Sequence, residues 1–214
     1  MALVELKDIE FNYSDKDLYK KVSFKVNNGE HCVLVGSNGC GKTTLLNMIV
    51  GDIKPDKGTV TWENGVTYSY LDQQLKVAQD MPVHQYLYGV YEDLFEKEKT
   101  MNKLYEQSAI DIDNFEKILA KAERIQDELN EKGFYALQEK VGRLTDGLGF
   151  MKESLEAPLK TLSSGQREKA YLAKMLLEEK DFLIMDEPTN FLDATQVDWL
   201  SRYLSSYPKA FLVV

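Results

Sequence analysis

Little in this 214-residue chain fits a secreted or membrane-spanning protein. Two cysteines, Cys32 and Cys40, are too few for a disulfide framework and suit a reducing compartment. No stretch approaches the roughly 18 apolar residues that a bilayer crossing needs. The opening segment, Met1–Asp8, carries charges where a secretory leader would need an apolar run. Excess positive charge is also missing: the net charge is −9. Such a chain has no global pull toward nucleic acid or anionic lipid, so contact with either would need a local basic patch or further chain. What is present, 43% hydrophobic and 29% charged residues, is ordinary for a soluble globular protein, and with those absences the chain is most simply cytosolic. The length allows one large domain or two small ones.

The first third reads as strands. Val22–Val26 alternates apolar and polar residues, Asn27–Gly29 is a turn signal, and Cys32–Val35 is a short apolar run suited to a buried strand. Thr44–Val50 predicts a helix ended by Gly51, and Val60, Trp62, Val66, Tyr68 and Tyr70 supply further strand signals. From about Pro82 to Gly142 the period changes. Leu87, Val90, Tyr91, Leu94, Met101, Leu104 and Tyr105 fit one helical face; Phe115, Ile118, Leu119, Ala122, Ile125 and Leu129 fit a second. The plain reading is two amphipathic helices packed on each other, which leaves room for a protruding arm. Beyond Phe150 the spacing predicts a helix from Ser163 to Leu177, a buried strand over Phe182–Met185, a helix over Thr195–Tyr203, and an apolar strand over Phe211–Val214.

Gly36-Ser37-Asn38-Gly39-Cys40-Gly41-Lys42-Thr43 fits the pattern G-x-x-x-x-G-K-[ST], placed between a strand and a helix. Glycines let backbone amides approach phosphate oxygens, and the helix start adds positive potential. Lys42 would reach the β- and γ-phosphates of a nucleotide and the Thr43 hydroxyl would hold magnesium. The alternative is a glycine-rich turn before a helix. The strand ending in Asp186 and Glu187 supplies two acids that pleat alternation would aim apart. Asp186 is assigned to the metal and Glu187 to deprotonating the attacking water; the alternative is a solvated strand end. Ser163, with Gln166 three residues on, has the form of a helix capping box.

Taken with those two motifs, Leu162-Ser163-Ser164-Gly165-Gln166 resembles the signature of ATP-binding cassette (ABC) proteins, and the resemblance covers essentially the whole chain. It implies an α/β fold: a P-loop nucleotide-binding domain with an antiparallel β subdomain and a helical subdomain. Residues 1–75 and 167–214 would form the ATPase core, and 76–166 the helical subdomain with an arm-like hairpin at about 82–142. By the same resemblance Tyr13 stacks on adenine. Gly36 to Thr44 contact the phosphates, and Gln73 senses magnesium and the attacking water. Ser163, Ser164, Gly165, Gln166 and Asp193 serve a nucleotide held by a second, head-to-tail cassette, in the same polypeptide or in a homodimer. The cofactors implied are ATP and Mg2+, with Thr43, Gln73 and Asp186 toward the metal.

Asp186-Glu187-Pro188-Thr189-Asn190-Phe191-Leu192-Asp193 looks like the ABC-F type, and the 90 positions from Gln73 to Ser163 (163 − 73) leave room for that subfamily's arm. ABC-F proteins carry two cassettes and no membrane domain, and include factors that act on the ribosome in translation or antibiotic resistance. The resemblance therefore implies a ribosome or rRNA partner and no membrane insertion. No basic stripe for RNA is evident, since Glu92 to Lys140 is acidic on balance. An ATPase subunit of a membrane transporter is the alternative; a non-catalytic ATP-gated module fits less well, because Lys42, Gln73, Asp186 and Glu187 are all present. Three departures stand out. Ser164 replaces a usual glycine and Phe191 a usual histidine, and the family's switch histidine is missing, His31 and His84 lying elsewhere. The expectation is an N-terminal cassette cut just before that histidine, binding MgATP but turning it over slowly alone.

Overall fold

The computed structural model describes residues 2–13, 16–71 and 80–214. Their contacts divide into two units, Met1–Gln79 with Leu162–Val214, and Asp80–Thr161.

The first unit holds two sheets. Strands β1 (Ala2–Tyr13), β2 (Lys16–Asn27) and β4 (Lys57–Trp62) pair antiparallel in the order β2-β1-β4. Leu3, Val4, Leu6 and Ile9 of β1 are buried, a set that strict alternation cannot produce. The register supplies the reason. Leu6 pairs with Phe24 and Ile9 with Val22, so β1 carries an extra residue, and Asp8 adopts φ +51 there. Gly58 of β4 passes close beneath this bulge: a Cβ on it would lie 2.4 Å from the Lys7 carbonyl oxygen, and its φ is +90.

The second sheet is parallel, in the order β3-β7-β6-β5, from β3 (His31–Val33), β5 (Tyr68–Leu71), β6 (Phe182–Met185) and β7 (Ala210–Val213). All four β6 residues are buried, as a central parallel strand requires. β3, by contrast, is at the edge. The Cys32–Val35 run is therefore not a buried strand: the ladder strand ends at Val33, and Val33 and Val35 are 68% and 86% exposed. Val66 likewise precedes β5. Helix α1 (Lys42–Val50) presses Leu45, Leu46, Met48 and Ile49 onto a core shared with Leu6, Ile9, Val26, Phe182 and Ile184. It ends at Gly51, whose φ of +92 lets its amide reach back to Asn47 and Met48. Helices α7 (Ser164–Leu177) and α8 (Ala194–Ser205) complete the unit.

The second unit is helical: α2 (Val83–Tyr88), α3 (Glu92–Ser108), α4 (Phe115–Glu131), α5 (Leu137–Gly147) and α6 (Lys152–Glu156). α3 and α4 form a hairpin packed through Leu94, Met101, Ala122 and Leu129, with Lys97 paired to Glu128 and the Tyr105 hydroxyl donating to Gln126. α5 is a third helix where the hairpin was expected to run on to about residue 142; its buried Leu137, Val141, Leu144 and Thr145 recur at helical spacing. Among the described residues no helix is long and apolar enough to cross a membrane.

Candidate functional site

The loop Gly36–Thr43 leaves the carboxyl end of β3, where parallel sheets present their ligand sites. It enters α1 through Gly41, the N-cap, at φ +108. That cap carries no side-chain hydrogen bond, so the first amides of α1 are not taken by a capping side chain. The Lys42 ammonium donates to the carbonyls of Gly36 at 3.0 Å and Ser37 at 3.3 Å, holding its charge within the loop.

Across from the loop, β6 delivers the acids. Thr43 Oγ1 donates to Asp186 Oδ2 at 2.5 Å, joining groups 143 positions apart in sequence. Asp186 Oδ1 is buried and has no hydrogen-bond partner among the described residues. An acceptor in that state calls for a cation or its bound water. A hydroxyl, one carboxylate, water and phosphate oxygens make a donor set that suits magnesium. No cluster of three or more His, Cys, Asp or Glu ligands exists among the described residues.

Glu187 is exposed and diverges from Asp186, though not through pleat alternation. The strand ends at Met185 and Glu187 stands at φ +47, so a left-handed turn sets its direction. Its amide donates to the Val214 carbonyl at 3.1 Å, and Asn190 Nδ2 donates to Glu187 Oε2 at 2.6 Å. One carboxylate oxygen is thereby held by a side-chain donor.

A cavity of about 370 Å3 connects these parts, lined by Tyr13, Leu18, Asn38, Gly39, Gly41, Lys42, Thr43, Thr44 and Glu187. The volume lies within the range of small-molecule sites. Tyr13, 66% exposed, offers a ring at its edge. Ser37 and Cys40 lie in the same loop, joined by a Cys40 amide to Ser37 carbonyl bond of 3.3 Å. Gln73 lies outside the described residues.

Ser163, Ser164, Gly165, Gln166 and Asp193 do not line this cavity. Ser163 caps α7 in a full capping box with Gln166, and Asp193 caps α8 in the same way with Gln196. A Cβ on Gly165 would meet Phe191 Cβ at 3.7 Å, so the two caps are neighbours through Phe191. Sequence reasoning passed over Leu18 and the Asp193 cap. Only the last had a readable signal, an Asp with Gln three residues later.

A family model described as "ABC transporter" matches residues 19–190. The chain is 39% identical, over 100% of its own length and 42% of the relative's, to "Uncharacterized ABC transporter ATP-binding protein YfmM" of Bacillus subtilis (strain 168). It is 31% identical to "ABC transporter F family member 2" of Arabidopsis thaliana, over 94% of this chain and 30% of that protein. It is also 31% identical to "Energy-dependent translational throttle protein EttA" of Mycobacterium tuberculosis (strain ATCC 25618 / H37Rv), over 98% of this chain and 37% of that protein. The chain thus spans less than half the length of these relatives. Among solved structures, "Structure of ATP binding subunit of ABC transporter" superposes with a TM-score of 0.61 at 19% identity, over 99% of this chain and 79% of that one.

Proposed function

The chain belongs to the ABC transporter family of ATP-binding cassettes, its matched relatives include F-family members, and on that footing we propose that it holds MgATP in the cavity behind Gly36–Thr43 as half of a composite ATPase site. The observation that carries this reading is the Thr43–Asp186 hydrogen bond, which brings phosphate loop and acidic strand to one point. Tyr13 and Leu18 take the base, the loop amides and Lys42 take the phosphates, and Thr43 with Asp186 holds magnesium. Magnesium, when bound, offsets charge on the β- and γ-phosphate oxygens.

Glu187, steadied by Asn190, accepts a proton from water as that water attacks the γ-phosphorus. The bond from the γ-phosphorus to the bridging oxygen breaks, and ADP and phosphate leave. Lys42 stays on the phosphate oxygens and keeps developing charge close to a fixed cation. The α7 N-terminus, opened by Ser163, Ser164 and Gly165, serves the γ-phosphate of a nucleotide on a second cassette. A chain without that partner leaves its own γ-phosphate half enclosed, so binding should far exceed turnover.

The cellular setting we propose is cytosolic, with the ribosome as partner. Its support is the relation to the F family and to a translational throttle protein, together with the long helical hairpin of α3 and α4. Titration with MgATP beside a phosphate-release assay tests the site; brisk turnover by a verified monomer would overturn the composite-site reading. Co-sedimentation of the full-length protein with ribosomes tests the setting. Co-purification with membranes instead would point to a transporter subunit.

A further inference from the structure

β2 carries a second irregularity, and it lies beside the phosphate loop. Val26 and Phe24 pack on the core, so strict alternation would turn Leu18 inward and Tyr19 outward. The register breaks that phase. Ile9 pairs with Val22 and Phe11 with Tyr19, three steps along β2 against two along β1, and Lys21 takes φ +58 at the extra residue. Tyr19 therefore packs against the same core as Phe24, and Leu18 is turned to the nucleotide cavity.

The Tyr19 hydroxyl donates to the Gly41 carbonyl at 2.5 Å, and the Leu45 amide donates to that same oxygen at 2.9 Å. A Cβ at Gly41 would lie 2.6 Å from the Tyr19 oxygen, so glycine here makes room for the ring as well as for φ +108. Burial, with the Cys40 thiol as a lesser cause, pushes the Tyr19 hydroxyl up to about 12, which keeps it a donor at neutral pH. A peptide unit is planar and trans, so its C=O and N–H point opposite ways. Holding the Gly41 oxygen toward Tyr19 and Leu45 turns the Lys42 N–H the other way, out of the helix start.

We infer that Tyr19 is a positioning residue of the phosphate loop, fixing the Gly41–Lys42 peptide so that the Lys42 amide faces the nucleotide's β-phosphate. The bulge at Lys21 is the device that aims it. This inference rests on the nucleotide reading above, and one experiment separates the two. Tyr19→Phe keeps the ring and removes only the donor. Competition against a fluorescent adenine nucleotide gives affinities for MgATP, MgADP and AMP, and thermal unfolding of the free chain reports any general loss. The expected result is a 5- to 10-fold loss for MgATP and MgADP, about the value of one hydrogen bond, with AMP changed less than about twofold because it has no β-phosphate. Faster amide exchange at Lys42 in the free variant should accompany it. Unchanged MgATP affinity, or equal losses for all three nucleotides, would overturn the role of Tyr19. Failure of the unaltered chain to bind MgATP would overturn both readings.

Discussion

Replacing Asp181 by asparagine should loosen the anchor from which β6 carries Asp186 and Glu187 into the site. Asp181 Oδ2 accepts from the Thr67 amide at 3.0 Å and the Thr67 hydroxyl at 2.8 Å, and Oδ1 pairs with Lys209 at 3.1 Å. The Thr67 amide chiefly, then its hydroxyl and Lys209, hold the carboxyl down at about 2 against an ordinary 3.8. A depression of that size corresponds to about 2.5 kcal/mol by linkage. The side chain is 37% exposed, so solvent screening brings the expected contribution to about 1 kcal/mol. Because the folded-state value is the lower one, this stability is complete above pH 4 or so and fades as pH falls toward 2. About half should remain near pH 3. Asparagine keeps an acceptor for Thr67 but loses the charge and the oxygen that accepts from Lys209, so the part of the difference that varies with pH reports the carboxylate. Denaturant unfolding of both proteins from pH 7 to pH 3 should show a gap of about 1 kcal/mol that narrows to about half. A gap that stays constant with pH, or its absence at pH 7, would refute the reasoning.

Thr43→Ala should weaken MgATP binding about tenfold while ATP in EDTA changes much less, because the lost hydroxyl serves the ion rather than the loop; titration with and without magnesium reads this. In the full-length protein Glu187→Gln should retain ATP binding and lower turnover by at least about 100-fold, trapping the closed form. An unchanged phosphate-release rate would sink the general-base assignment. Ser163→Ala removes the α7 cap and should cost about 1 kcal/mol of stability. MgATP affinity of the single chain should stay as it is, and full-length turnover should fall; lost affinity in the single chain would contradict service in trans.

The sequence by itself determined what lies within a few contiguous residues. The loop Gly36–Thr43, the strand Phe182–Met185 and the Ser163 cap are set by local backbone needs: glycine where amides must approach closely, unbroken apolar residues where both faces are covered, a hydroxyl where helix amides lack partners. The amphipathic faces of α3 and α4 were legible for the same reason, since helical period is a local property, although the first face, read as one helix from Leu87, is broken at Gly89–Tyr91 between α2 and α3. Tertiary structure decided whatever depends on a second strand. Val33 and Val35 read as buried and are exposed, because edge or centre is a matter of neighbours. Asp186 and Glu187 diverge through a left-handed turn after Met185, not through the pleat. Thr43 finds Asp186 only once β3, β7 and β6 stand side by side. Tyr19 is the sharpest case: its face is set by an extra residue in the β1–β2 register, and a bulge is a relation between two strands that neither strand's own alternation encodes.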